Sequence, residues 1–419
     1  MRSTNTMLKY SDRRTCRCCG SSDLVEYLDL GEQPLANSYV KDAASPCPTV
    51  PLRVNLCPNC FHSQLGAVVD PSTMFGHYLY VSGTTETFRR HTRLLAEEAV
   101  MVLTQRPGHR PSSEALVLDV ACNDGTLLGH FRDLGCQVRG IDPAANLRQY
   151  THAKGIEVDV AFFGRDAGVS YATQQRRFDV ITAQNVFAHV DDAEGFLAGV
   201  KAALKEDGFA VIEFPYGRDM IAHNEFDTIY HEHLSYFLVN SFSRLARRAG
   251  FGIFKMTQTP IHGGSIRFYL AAGEEHAPQV EQMIRSEKDA GLLETQTYRD
   301  FASRVAENRQ DMRSLLARLR AKGRPIIGYG ASAKGNTMLN YFQVDLQYTV
   351  DDNPMKWGLL TPGRHVPIAD PKRIAGENHP AIVVLAWNFL DEIKRRVAGI
   401  TDKPRSFVLY VPDVRIEEA

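Results

Sequence analysis

No run of 18 apolar residues occurs anywhere in the sequence, so no segment reads as a membrane span. The N-terminus, Met1-Arg2-Ser3-Thr4-Asn5, leads into polar sequence rather than into the apolar core of a signal peptide. A cytoplasmic protein with no membrane partner is therefore expected. An excess of one charge is also missing: 48 Lys and Arg stand against 49 Asp and Glu, a formal net charge of −1. That balance argues against a nucleic-acid partner, which needs a basic surface. Two catalytic signatures are absent as well. No strand is followed by a full G-x-G-x-x-G, and no H-E-x-x-H is present. What remains is an ordinary apolar content of 44% in 419 residues, too many for one core, so two or three domains are expected.

The stretch Ala115–Phe131 reads as strand, small-residue turn and helix. Leu116, Val117, Leu118 and Val120 form the apolar run of a buried parallel strand, with Asp119 near its end. The run breaks at Cys122-Asn123-Asp124-Gly125, and Thr126, Leu127, Leu128 and Phe131 resume at helical spacing. With only Gly125 in the turn, a pyrophosphate need not pass close to the backbone, and a smaller ligand with a nucleoside end fits better. The next strand, Gln137–Ile141, ends at Asp142, where an acidic side chain can accept both hydrogen bonds of a ribose diol. A later strand, Phe178–Ala183, delivers Asn185 and His189 at its carboxyl end, where open α/β sheets bind ligands. Leu204–Gly208 reads as a turn and Phe209–Tyr216 as the following strand.

Eight cysteines are few for the length, and four are paired. Cys16-x-x-Cys19 and Cys57-x-x-Cys60 are two knuckles that complete a tetrahedral Zn²⁺ site with no open position, hence a structural one. Cys18 competes with Cys19 on spacing; the x-x spacing on both sides favours Cys19. Beyond the knuckles, Phe75–Thr85 has an aromatic and hydroxyl content unusual for a linker. It reads as a segment over a ligand pocket, with Tyr78 or Tyr80 offering a phenol. Thr87–Leu103 reads as the helix into the core domain.

The densest chemistry is Phe226–Phe237. In an extended segment, His231 and His233 would share one side with Glu232 opposite. Two His, one Glu and two Tyr in seven residues look like proton-transfer equipment, with His189 able to join them. Further on, Gly263–Leu270 reads as an edge or closing strand. Pro325–Gly335 opens a second strand, glycine turn and helix able to cradle a phosphate. Ala381–Ala386 is a buried strand ending at Trp387-Asn388, and Phe407–Val411 reads as the last strand.

Taken together, the knuckles, Leu118–Gly125, Glu213–Tyr216 and Tyr230–Tyr236 resemble the deoxysugar C-methyltransferases, enzymes that use S-adenosylmethionine (SAM) and include the C-3'-methyltransferase of tetronitrose biosynthesis. The resemblance implies an α/β chain with a zinc-binding domain at 1–75, a Rossmann-like SAM domain at 76–260 and a second Rossmann-like domain at 261–419, with a helical connection at Pro278–Leu319. It places SAM on Asp119, Cys122, Asn123, Gly125, Asp142, Pro143 and Asn185. Tyr216, Ser332, Lys334 and Asn388 become candidates for the nucleotide sugar. The implied substrate is a dTDP-linked 4-keto-deoxysugar, 3-amino-2,3,6-trideoxy-4-keto-hexose foremost, methylated at C-3 in antibiotic sugar biosynthesis.

A neighbouring ketone acidifies the C-3 proton, so a base must remove it and a donor must stabilise the enolate oxygen. His233 is the expected base and His231 the alternative. Glu232 and His189 would orient the site or donate to the keto oxygen, with Tyr230 and Tyr78 or Tyr80 close by. A monomer is expected. Two rival classes share single features: an RNA methyltransferase shares the zinc knuckles, and a nicotinamide-dependent sugar oxidoreductase shares the turn Gly328–Gly335.

Overall fold

The computed structural model describes residues 8–78, 81–106 and 111–418. Tyr80 lies outside the described residues. Apolar runs in the middle of the chain form a seven-stranded sheet from β1 (Leu116–Val120), β2 (Gln137–Ile141), β3 (Val158–Asp159), β4 (Phe178–Gln184), β5 (Leu204–Pro215), β6 (Phe251–Thr259) and β7 (Ser265–Ala272). Its order is β3-β2-β1-β4-β5-β7-β6. The first five strands pair in parallel, while β7 runs antiparallel between β5 and β6. The chain works outward from β1 to β3 and then returns to β4 beside β1. This leaves a crevice at the carboxyl ends of β1 and β4, where ligands bind in such sheets.

Two expectations are corrected in this sheet. Ser265–Ala272 is an interior strand rather than an edge. Leu204–Gly208 belongs to β5, which carries a register irregularity between Leu204 and Phe209. The stretch Phe163–Arg176, which shows no readable pattern, contains a helix at Arg165–Thr173. It buries only Gly168 and Tyr171, so it has no apolar stripe to betray it.

Helix α1 (Glu86–Gln105) packs beside this sheet through Phe88, Leu95, Ala96, Ala99, Val102 and Leu103, which recur at helical spacing. Helix α2 (Thr126–Asp133) follows the turn after β1. The helical connection is two helices, Pro278–Asp289 and α3 (Thr295–Ala321). It leads to a six-stranded sheet ordered Ile368–Ala369, Thr349–Val350, Ile326–Tyr329, Ala381–Val384, Ser406–Leu409, Arg415–Glu418. The first five strands are parallel, and Arg415–Glu418 adds an antiparallel edge beyond the strand expected to be last. Helix α4 (Ala333–Phe342) follows the glycine turn of this sheet. The α/β class read from the sequence is borne out.

The N-terminal region contributes a third, four-stranded sheet of Val25–Pro34, Thr49–Cys57, His62–Leu65 and Ser235–Tyr236. Its last strand comes from the middle of the chain, directly after the His-Glu-His segment. Phe187, Phe214, Phe237 and Phe242 pack beside it with ring centroids 4.8 to 6.1 Å apart. This cluster fixes the segment after Ser235 to the carboxyl ends of β4 and β5.

Candidate active site

The turn after β1 is built from left-handed residues. Ala121, Asn123 and Gly125 have φ of 57°, 52° and 74°. The coil turns backbone N–H groups outward, and the Asp142 carboxylate at the end of β2 accepts from one of them, Asn123 N at 2.9 Å, and from Ala144 N of its own turn at 2.8 Å. Asp119 is buried, accepts from Thr182 Oγ1 at 2.6 Å, and has its pKa pushed up to about 7 by burial. Cys122 is buried against Gly140. Across the crevice, Asn185 is also left-handed, and its Oδ1 is buried with no partner among the described residues. A buried orphan acceptor and a ribose-type carboxylate on the two sides of one crevice fit the nucleoside and amino-acid ends of SAM. Cys122, Asn123, Gly125, Asp142, Pro143 and Asn185 lie on the turns that form this crevice, and Asp119 lies in β1 just before the first of them.

A lid lies over it. The Ser82 N–H donates to Asn123 Oδ1 at 2.9 Å, and Gly83 presses so closely on the turn that an added Cβ would lie 2.5 Å from Asp124 Oδ2. Tyr78 is tied to Asn146 by two backbone–amide hydrogen bonds, at 3.0 and 2.8 Å. Tyr78, Ser82 and Gly83 of the segment with unusual aromatic content thus lie against the turns after β1 and β2.

In the N-terminal module the thiols of Cys16, Cys19, Cys57 and Cys60 all lie within 4.8 Å of one another. Cys16 and Cys60 sulfurs are 3.5 Å apart, as are those of Cys19 and Cys57. With Zn–S bonds of about 2.3 Å, a tetrahedral site needs sulfurs roughly 3.8 Å apart, so this set fits Zn²⁺ with little movement. Cys18 is fully buried outside the set, which settles its competition with Cys19.

Tyr230 to His233 form a turn, closed by the His233 N–H on the Tyr230 carbonyl at 2.8 Å. The turn separates the histidines that an extended segment would place side by side. His231 points into the N-terminal module, with Nε2 3.1 Å from the Val50 carbonyl; burial lowers its pKa to about 4. It does not join the cluster. His233 lies with its Nδ1 2.7 Å from the Thr228 carbonyl and its Nε2 2.8 Å from the Tyr230 hydroxyl. A carbonyl only accepts, so Nδ1 carries the proton and Nε2 is the free base position, accepting from Tyr230. Burial, with the nearby His189 and Lys334, holds the ring well below its usual pKa.

Glu232 turns the other way, into a pocket formed by two elements. Asn37 Nδ2 donates to one carboxyl oxygen at 2.6 Å, and Tyr78 Oη donates to the other at 3.1 Å. Burial raises this carboxyl to about 7. His189 closes the cluster. Its ring is 5.0 Å from His233 and 5.4 Å from Phe75, which in turn is 5.9 Å from Tyr78. Burial lowers the His189 pKa to about 4. His233, Glu232, His189, Tyr230 and Tyr78 are therefore one constellation, assembled from three separate stretches.

The expected sugar-binding residues divide. Tyr216 is fully buried and donates to Glu287 at 2.7 Å, which takes it out of the cleft. Ser332 caps α4, accepting from Gly335 N at 3.1 Å and donating to the Leu385 carbonyl at 3.0 Å. Lys334 reaches across to the central unit, 3.2 Å from the His262 carbonyl and 4.3 Å from the Trp387 ring centroid. Asn388 lies in the turn after Ala381–Val384, beside Trp387. The Asp351 carboxylate is occupied by Ala331 N–H, Asn353 N–H and Lys356, while Tyr39 Oη also caps the Ala331 carbonyl. The carboxylate at the ribose-type position of this sheet is thus held by the protein's own donors.

Four neighbours were not singled out in the sequence: Asn37, Glu225, Asp227 and His262. Asn37 sits in a proline-rich stretch without periodicity. Asp227 lies in the densest stretch, and its role appears only when Trp387 Nε1 and Tyr410 Oη, both from the C-terminal sheet, reach it at 2.8 and 2.6 Å.

An open sheet with one antiparallel strand inserted near its edge, an acidic group after β2 and a covered nucleoside crevice define a SAM-dependent methyltransferase, here fused to a four-cysteine zinc module. Family models match in three consecutive blocks: a putative zinc binding domain at 16–75, a methyltransferase domain at 88–255 and a C-methyltransferase C-terminal domain at 260–412. C-methyltransferase NovU of Streptomyces niveus is 32% identical over 412 residues, covering 96% of this chain and 97% of NovU. The chain belongs to this family of zinc-containing, SAM-dependent C-methyltransferases, and the resemblance carried by its motifs is borne out. A ubiquinone biosynthesis O-methyltransferase of Rhodopseudomonas palustris (strain TIE-1) is 33% identical over 96 residues, 23% of this chain and 38% of that protein. The magnesium protoporphyrin IX methyltransferase (ChlM) of Synechocystis PCC 6803 with bound SAM aligns with 44% of this chain and 79% of its own, at 13% identity and a TM-score of 0.33. No helix among the described residues is long and apolar enough to cross a membrane.

Proposed function

We propose that this enzyme methylates C-3 of a dTDP-linked 4-keto-6-deoxyhexose through an enolate. The observation that carries the reading is the tautomer of His233. Its Nδ1–H is committed to the Thr228 carbonyl, which leaves Nε2 unprotonated and accepting from the Tyr230 hydroxyl. Bound SAM supplies an electrophilic methyl group on its sulfonium. The chain's own residues make the acceptor carbon nucleophilic. His233 Nε2 takes the C-3 proton as Tyr230 gives way, and the electron pair moves to the 4-keto oxygen. Glu232, protonated over part of the neutral range, and Tyr78 orient the sugar. Tyr78 and the Ser82–Gly83 turn, packed on the crevice, keep water from the reacting centre. Asp142 and Asn185 would hold the cofactor, and the four thiolates the zinc.

Work divides along the three units expected from the sequence, 1–75, 76–260 and 261–419, with Ser265–Ala272 of the last completing the central sheet. The first and last enclose the nucleotide sugar, and the middle one holds SAM. Nothing in this arrangement calls for a second copy, so a monomer is the working state.

The test is mass spectrometry of the sugar after incubation with SAM, using the 3-amino and the 3-hydroxy substrate in parallel. One added methyl at C-3 is expected with at least one of them, and His233→Asn reduces the rate by 10²–10⁴-fold. Methylation at oxygen or nitrogen, or an unimpaired His233→Asn, sinks the reading.

A further inference from the structure

His233 is a weak base for a carbon acid. Burial and two neighbouring cationic or titratable rings oppose its protonation. Removing a proton next to a ketone with such a base requires strong stabilisation of the oxygen on which charge develops. The central unit supplies Tyr230, Tyr78 and Glu232 in this region, and the ammonium that acts on His233 is Lys334 of the C-terminal unit.

Lys334 lies on the first turn of α4, and α4 is docked against both supports of the catalytic cluster. Thr337 Oγ1 donates to the Ile229 carbonyl at 3.3 Å, next to Thr228, whose carbonyl holds His233. Asn336 Nδ2 donates to the Ala36 carbonyl at 2.6 Å, next to Asn37, which holds Glu232. One helix therefore braces the supports of base and carboxyl together and carries an ammonium whose charge reaches His233. That ammonium has a carbonyl at 3.2 Å and an indole face at 4.3 Å, and no carboxylate within ion-pair distance among the described residues. The acids around it are poor counter-ions. Glu225 is pushed up to about 7 by burial, and Asp227 is raised by burial while two donors occupy one of its oxygens. Its positive charge acts on His233 and His262. A cation over an aromatic ring, half-buried and without a committed anion, is suited to a negative charge that exists only during reaction.

We infer that Lys334 is a further catalytic residue, which donates an N–H to the 4-keto oxygen and stabilises the enolate formed as His233 removes the C-3 proton. In this step the C-3–H bond breaks, its proton passes to His233 Nε2, and the electron pair becomes the C-3–C-4 double bond as charge moves to oxygen. No co-reactant is consumed. The inference rests on the enolate reading above and departs from the expectation that Lys334 contacts the nucleotide or its pyrophosphate.

The experiment follows C-3 hydrogen exchange in deuterated water without SAM, using the full-length zinc-loaded chain and saturating keto-sugar. Binding of thymidine diphosphate alone is measured alongside. Lys334→Met is expected to slow exchange by at least 10²-fold while the thymidine diphosphate Kd stays within twofold. Lys334→Arg recovers part of the exchange. Exchange within threefold of the unaltered enzyme together with a tenfold weaker Kd overturns the inference and assigns the lysine to the diphosphate. If Lys334→Met loses both, Lys334→Arg decides. Recovered exchange with binding still weak supports the inference, and any other pattern overturns it. Absence of exchange in the unaltered enzyme overturns the enolate reading itself, and this assignment with it.

Discussion

At His233 two hydrogen bonds fix a protonation state. The Thr228 carbonyl can only accept, so the ring proton sits on Nδ1 and the unprotonated Nε2 accepts from the Tyr230 hydroxyl. Because the ring is held well below its usual pKa, the neutral base persists when pH falls through 6.5, and the acid limb of kcat/KM lies below that value. Glu232 works in the opposite sense. Burial raises it to about 7, so the carboxyl is protonated below that pH and ionises above it. With the protonated form as donor, kcat/KM falls as pH rises through about 7. Glu232→Gln, which keeps a donor and cannot ionise, is expected to flatten that alkaline limb; a full pH–rate profile of both enzymes checks it. An unchanged limb in Glu232→Gln would assign the titration to another group. The acidic residue's neighbours were not legible in sequence, since Asn37 and Tyr78 approach it from positions 195 and 154 residues away.

Among elements, the turn between β1 and α2 is the most constrained. Gly125 holds φ of 74°, and a Cβ there would lie 3.1 Å from both Ile156 Cδ1 and Thr151 Cγ2. Gly125→Ala is expected to cost about 1–2 kcal/mol in the left-handed region and to weaken SAM binding by roughly tenfold, a loss of about 1.4 kcal/mol in binding. Thermal unfolding and calorimetric titration with SAM read the two effects separately. This element was readable because strand, small-residue turn and helix each have a local period. The segment Tyr230–His233 shows the opposite case. Its composition announced chemistry, yet alternation could not say that a turn closes there, and the turn sends His231 to the Val50 carbonyl and His233 to the cleft. Strand Ser265–Ala272 was legible as a strand but not as an interior one, because its neighbours on both sides are chosen by the sheet.

For the whole molecule, the zinc module is built into the catalytic unit. Ser235–Tyr236 pairs with His62–Leu65, and the buried Arg17 donates to the carbonyls of Leu65 and Leu234 at 2.9 and 3.2 Å. The segment carrying Glu232 and His233 is thus clamped to Arg17 inside the first knuckle and to the strand that follows the second. Removing zinc with a chelator, or introducing Cys57→Ala, is expected to lower methyl transfer by at least 10²-fold and to leave the SAM Kd within a few-fold. Zinc content, activity and calorimetry on the same sample test it. Loss of SAM binding in parallel would show that the metal supports the central sheet as well.

The sequence by itself determined the features with local causes. These are the zinc knuckles, whose spacing brings two sulfurs onto one tight loop, and the strand–turn–helix with its acidic partner at Asp142. The α/β class, read from apolar runs alternating with helical periods, belongs with them. Only the tertiary structure decided what depends on residues far apart in the chain: the tautomer of His233, the company of Glu232 and the removal of Tyr216 from the cleft. The approach of Lys334 from the C-terminal unit is of the same kind. Each of these is set by hydrogen-bond partners or by burial across units, and neither leaves a period or a spacing in the chain.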